Sequence, residues 1–411
     1  MNPNESSTHP RSACVLCLIL AFAASNFASA QDYHFDGPVS QEVLENYLAR
    51  SITCLDLLTE KGNFEDNLRM LQHVGAKFVG RSVYRWGGEA DLPRVLALTE
   101  KNARRVHEMD ADIILQACLF EIVSTQVDRL AVPPWAFEAF DMPVEERNFD
   151  YQAMLYPDGK FQNHWARGAS VPDISRRESE LWFYFLARSY LDAGIEALHV
   201  GQAELMNRND PDSKHWAGVL DLVRKYAAKH ARRHWVLCDA HVPSGGLLRG
   251  DRLLFDFHSF PLRIKEVPER PQEGILEVGF TDAMYGRSRG GISPSGWRCD
   301  HLPYLVEVDN WGVSSRPGQA GAGGCWVWGY DEMSWFAHQP EGYRNEWLRY
   351  AWKWVRQHDS VGYLQMPGSR VVHAAVDGNN WYFANTPSDA VPDGFGQEET
   401  IREVWAADER M

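Results

Sequence analysis

Positive charge is what this sequence has least of for its size. Lys and Arg total 41 against 56 Asp and Glu, a formal net charge of −15. A nucleic-acid face needs a cationic stripe and an anionic membrane surface attracts one, so neither is an expected partner. Cysteine is scarce too: seven in 411 residues, with Cys14 and Cys17 inside the first 30. The five others build no disulfide framework. Cys54, Cys118 and Cys238 lie in strand-like runs and read as core, while Cys299 and Cys325 lie in loop-like sequence and are the candidates for one disulfide. Catalytic signatures are also missing. No H-E-x-x-H or G-x-S-x-G occurs, and the glycine-rich GQAGAGG at 318–324 lacks the Lys-Ser/Thr ending of a P-loop. The first strand-like run has no His-x-His pair. No metal and no cofactor are therefore expected. There is no apolar run long enough to cross a bilayer. The apolar stretch 13–24 is short, follows Arg11 and precedes Ala28, Ser29 and Ala30. That pattern predicts a signal peptide over 1–30 cleaved after Ala30, and a secreted or periplasmic protein without other membrane segments. No short repeat or low-complexity tract interrupts the rest.

What is present is a core-forming chain with alternating periods. Apolar residues make up 45%, enough for a full core, and there are 16 Trp, which serve either packing or the stacking of flat ligand faces such as sugar rings. Strand-like runs fall at 51–57, 77–86, 112–121, 195–205, 234–242, 252–260, 304–310 and 360–366. Helical patterns fall at 63–75, 91–109, 175–194, 214–231, 342–358 and 397–408. Eight strands alternating with helices predict a single α/β domain over 31–411, a (β/α)8 TIM barrel with long loops at its C-terminal face. Insertions are expected around 123–175 and 265–300, where 274–280 reads as an extra strand. The stretch 324–336 reads as a loop or hairpin over the barrel mouth.

In such a barrel the chemistry sits at the C-terminal strand ends. Polar residues gather there: Arg85 and Trp86 after strand two, Glu121 after strand three, Gln202 and Glu204 after strand four. Asp239 and His241 follow on strand five, Asp256 and His258 on strand six, and Glu307, Asp309 and Trp311 on strand seven. The run YLVEVDNWG at 304–312 places carboxylates in an otherwise buried strand, at a cost of several kcal/mol unless they are paired. The plain reading of Glu307 is a salt bridge to Arg81 or Arg85, which share a strand face by the two-residue period. The functional reading is a carboxylate pair for glycosidic bond cleavage, one protonated and one ionised. Trp328 and Trp335 join Trp86 and Trp311 as candidate stacking surfaces for a sugar.

With strands and carboxylates so placed, the chain resembles the large clan of (β/α)8 retaining glycoside hydrolases. The resemblance implies an oligo- or polysaccharide substrate. It implies Glu204 in GQAEL as acid/base, Glu307 in LVEVDNWG as nucleophile and Arg85 in VYRWGGE as the strand-two arginine. Ala203 stands where the clan has Asn before the acid/base. Two rival readings remain: an inactive glycan-binding barrel, and a sugar-modifying or lyase-type enzyme with His258 or His241 as base.

Overall fold

The computed structural model describes residues 31–408. The signal-peptide expectation for 1–30 lies outside the described residues. Eight strands form a closed, all-parallel ring: β1 Ser51–Cys54, β2 Phe78–Val83, β3 Ile114–Cys118, β4 Ala197–Gln202, β5 Leu237–His241, β6 Phe257–Pro261, β7 Tyr304–Glu307 and β8 Gly362–Val376. Each pairs with its neighbour in chain order, and β8 returns to β1. This is the (β/α)8 barrel.

Helices α1 Gln41–Ala49, α2 Phe64–Val74, α3 Leu92–Met109, α4 Arg177–Asp192, α5 Lys214–His230, α6 Glu341–His358 and α7 Glu398–Asp408 pack around it. Local chemistry sets their ends. Asn63 caps α2 by accepting from the Asp66 amide at 3.0 Å, and Gly75 closes it at φ +74°. Pro93 sits in the first turn of α3. Among the described residues the β5–β6 and β6–β7 connections carry no helix, only short paired strands. The segment 324–336, expected as a loop or hairpin, is irregular as far as Asp331. It runs into a helix, Glu332–His338, which starts where Asp331 caps the Ser334 amide at 2.6 Å.

The barrel interior is layered by the two-residue period. Phe78, Ile114, Ala197, Leu237, Phe257, Leu305 and Tyr363, one from each of β2 to β8, share one apolar cluster with Val43, Leu44, Tyr47 and Leu48 of α1. This helix, absent from the sequence reading, seals the apolar end. Two residues further along, the same strands carry Gly80, Gln116, His199, Asp239, Ser259, Glu307 and Gln365. The interior thus changes from apolar to polar within one step of the pleat.

Glycine is required in that polar layer. A Cβ on Gly80 would run into the Gln365 amide, whose carbon would lie 3.1 Å away, and would lie 3.3 Å from Gln116 Oε1. Gly80→Ala is expected to destabilise the barrel by roughly 1–3 kcal/mol, read as a lower thermal midpoint. An unchanged midpoint would show that Gln365 is free to move aside.

All five cysteines among the described residues are free thiols. Cys299 faces the Gly291 carbonyl and Cys325 faces Asp282, so the two do not pair as the sequence reading allowed.

Candidate active site

The polar layer opens into a cavity of about 380 Å³ at the C-terminal strand ends. Its floor includes His199, Ser259 and Glu307. Its walls include Arg81, Glu121, Gln202, His241, Asp309 and Asn310, with Trp86, Trp165 and Trp311 among the aromatic residues. In an eight-strand ring β3 and β7 are four places apart, so Glu121 beyond β3 and Glu307 on β7 come from opposite sides of the mouth.

Glu307 is 6% exposed and held by two arginines. Arg81 Nη2 donates to Oε1, and Arg370 Nη1 donates to Oε2 at 2.7 Å. Burial alone pushes this carboxyl up, but the Arg81 and Arg370 charges outweigh it and hold Glu307 down at about 2. It is therefore an anion across the physiological range.

Both arginines reach it by departures from regular strand geometry. The β2–β3 register slips between Val79 and Val83, and within that bulge Arg81 takes φ +54° while its amide donates to Gln116 Oε1 at 3.0 Å. Arg370 comes from the far part of β8. This strand outruns the barrel and folds back as a hairpin with β9, Asn379–Phe383. The same extension brings His373 to the cavity, where Nε2 meets the Asn310 carbonyl at 3.2 Å. The sequence reading ended strand eight at 366 and so missed both.

The linkage sign follows from the ionised state of Glu307. A carboxyl depressed in the fold adds stability above its unfolded value of 4.5, lost as the pH falls towards 2. The gap between wild type and Glu307→Gln is expected to be widest above pH 4.5 and to narrow by ~3 kcal/mol towards pH 2. Urea melts at a series of pH values measure it, and a gap that stays constant would contradict the ionised clamp.

The other side chains singled out from sequence divide into those the cavity gathers and those it does not. Trp86 is 39% exposed at the mouth, edge-on to Phe120 and to Trp165 of the 123–175 insertion. Trp311 is equally exposed; its ring stacks on Trp326 at 3.7 Å and its Nε1 donates to Glu332 Oε2 at 2.9 Å. Glu121 accepts from the Gln202 amide at 2.8 Å and from Gln202 Nε2 at 2.9 Å. Gly201 makes this possible, since a Cβ there would strike Glu121. Asp309 lies 3.7 Å from both Arg263 and Arg370. His241 lines the wall, and burial pushes it down to about 4, with Asp309 pulling the other way.

Seven of the singled-out residues do not line the cavity. Asp256 precedes β6 and is buried, accepting from Arg224 Nη2 at 3.1 Å and from the Cys238 amide at 2.9 Å. Arg85 lies beyond the end of β2 in a separate small pocket with Glu89, Cys118 and Trp182; Arg81 faces Glu307 instead. Glu204 sits in the four-residue helix Ala203–Met206, which begins as β4 ends, and accepts from the Ser244 amide at 3.0 Å. Asp239 is wholly buried beneath the floor, where it holds His199. His258 has the opposite pleat parity to Ser259 and is wholly buried. Its Nδ1 meets Ser288 at 3.1 Å and burial pushes it down to about 3. Trp328 and Trp335 are packing residues whose indole N–H groups donate to the carbonyls of Glu273 and Gln272.

Among the described residues no group of three or more His, Cys, Asp or Glu side chains is placed to hold a metal ion, and no helix is long and apolar enough to cross a membrane. Fold and cavity together define a (β/α)8 barrel with carboxylates, arginines and indoles at its mouth. No protein-family model matches the chain, and no curated protein sequence matches it. Among solved structures it is similar to a GH31 dextranase of Flavobacterium johnsoniae complexed with glucose. That match has a TM-score of 0.28 and 11% identity, and covers 51% of this chain and 28% of the dextranase.

Proposed function

We propose that this protein is a carbohydrate-active enzyme that cleaves glycosidic bonds, with Glu307 as the carboxylate that meets the anomeric carbon. One observation carries the reading. An obligate anion, Glu307, lies on the floor of a cavity that also holds a carboxyl from the opposite side, Glu121, and two exposed indoles, Trp86 and Trp311. Indole faces cover the apolar faces of pyranoses, and carboxylates and amides bond their hydroxyls. A permanent anion beneath the ring either attacks the anomeric carbon or stabilises its positive charge. In the retaining form, a Glu307 oxygen bonds to that carbon as the glycosidic C–O bond breaks. The leaving oxygen takes a proton, and water later displaces Glu307.

Export through the 1–30 segment, with cleavage after Ala30, belongs to the same proposal. N-terminal sequencing of secreted protein tests it: a chain beginning at Gln31 supports it and an uncleaved chain opposes it.

Reducing-end release from a panel of oligo- and polysaccharides tests cleavage. Release by the wild type and none by Glu307→Gln is the expected result. The double arginine clamp favours one other reading, a barrel that binds glycans without turning them over, because a carboxylate so held is also a structural anchor. Saturable sugar binding with no release from any member of the panel would select that reading.

A further inference from the structure

We propose that His199, oriented by Asp239, is the group that carries the proton in this cavity; the proposal rests on the glycosidic-cleavage reading. His199 lies in the same interior layer as Glu307, on β4 against β7. Its Nδ1 donates to Asp239 Oδ2 at 2.6 Å. Asp239 cannot turn away, because Ser259 Oγ donates to the same oxygen at 2.5 Å and Gln116 Nε2 donates to the other at 2.7 Å. Phe120 packs edge-on to the imidazole at 5.8 Å and fixes its plane. With Nδ1 engaged on the buried side, Nε2 is the remaining ring nitrogen of a residue that lines the cavity, and among the described residues it has no hydrogen-bond partner. A buried carboxylate behind one nitrogen with the other nitrogen open is the arrangement that lets an imidazole give and take a proton.

The cavity's carboxyls are placed differently. Both oxygens of Glu121 accept from Gln202, and both oxygens of Glu307 accept from arginine. Asp309 accepts from the Asn310 amide at 2.8 Å and stands beside Arg263 and Arg370. Each already faces N–H donors, the surroundings of an acceptor and not of a proton donor. The charged and titratable groups around His199 are Asp239 and His241 from β5, Glu307 and Asp309 from the β7 side, Arg81 and Tyr84 from the β2 end, Glu121 after β3, and His373 of β8, whose Nε2 already meets the Asn310 carbonyl.

The step balances with no added reactant. As Glu307 bonds to the anomeric carbon, the glycosidic C–O bond breaks and the leaving oxygen takes the proton from Nε2 of the imidazolium. The neutral Nε2 then takes a proton from the water whose oxygen bonds to that carbon. The Glu307 ester breaks and the imidazolium is restored.

Aryl glycosides of graded leaving-group acidity test the proposal on the full chain. His199→Gln is expected to lower kcat/KM by ~10²–10⁴-fold for poor leaving groups. For dinitrophenyl glycosides, which leave without protonation, the loss should be slight. The basic limb of the pH–rate profile should disappear with it. Asp239→Asn is expected to shift that limb; should this variant not fold, His199→Gln alone decides. A loss equal across all leaving groups, with the limb intact, overturns the assignment and leaves the cleavage reading standing. A limb that disappears in Glu121→Gln but survives in His199→Gln also overturns it. A wild type that cleaves no glycoside overturns both readings together.

Discussion

Glu307→Gln is expected to lower turnover by ~10⁴-fold or more on any glycoside that the wild type cleaves. An amide cannot form the glycosyl ester, nor does it place an anion under the anomeric carbon. The same change also weakens the fold, because Glu307 is the partner of two arginines, Arg370 buried and Arg81 half-buried. Glutamine offers one oxygen and one NH₂. One guanidinium keeps an acceptor and the other then faces a donor. Arg81 loses its paired carboxylate and Arg370 keeps only Asp309, 3.7 Å away, at a cost of ~3–5 kcal/mol. The two effects separate experimentally. Turnover is measured well below the variant's own melting midpoint, with circular dichroism showing that it is folded. If folded Glu307→Gln cleaves at near the wild-type rate, Glu307 is an anchor for the arginines and nothing more.

Arg370→Met should have the second-largest effect. Arg370 is 1% exposed, donates to Glu307 at 2.7 Å, bonds Asn310 and lies 3.7 Å from Asp309. Its loss leaves Glu307 with Arg81 alone. A buried carboxylate deprived of half its clamp is expected to destabilise the barrel by ~3–5 kcal/mol. It should also let the Glu307 carboxyl rise from about 2, moving the acidic limb of the activity profile to higher pH. Arg370→Lys keeps the charge but not the forked geometry and should recover part of both losses. Denaturant melts and a pH–rate profile measure the pair. An Arg370→Met variant with the wild-type acidic limb would show that Arg81 alone sets the state of Glu307.

The barrel was legible in the sequence because its strands are short apolar runs separated by strongly patterned helices. The period of two also assigns strand faces. Glu307 and Asp309 share one parity on the β7 side, Asp239 and His241 another on β5, and each pair points inward. The same rule, applied one step further, would have turned His258 outward with Asp256, since Ser259 takes the inward place on β6. It would also have turned His199 inward, two residues beyond Ala197 of the apolar layer.

What the period could not show is where regular geometry stops. The β2 bulge selects Arg81, not Arg85, to meet Glu307, and no pattern in VGRSVYRW announces a left-handed arginine. The end of β4 at Gln202 carries Glu204 into a short helix, where an unbroken strand would have kept it in register. The length of β8 depends on its pairing with β9, a contact beyond the closed ring, and with it came Arg370 and His373. Trp328 and Trp335 were indistinguishable from Trp86 and Trp311 by composition. They differ in where their N–H groups find partners: two in loop carbonyls inside the packing, and Trp311 in Glu332 beside the mouth.

Covalent trapping tests the central claim most directly. The wild type is incubated with 2-fluoro glycosyl fluorides of the sugars it cleaves, which form the ester faster than water removes it. The digested protein is then read by mass spectrometry. The account predicts one added sugar per chain, carried by Glu307 in the peptide that contains YLVEVDNWG. A sugar on Glu121 or Asp309, or no ester in an enzyme that is turning over the parent glycoside, would contradict it.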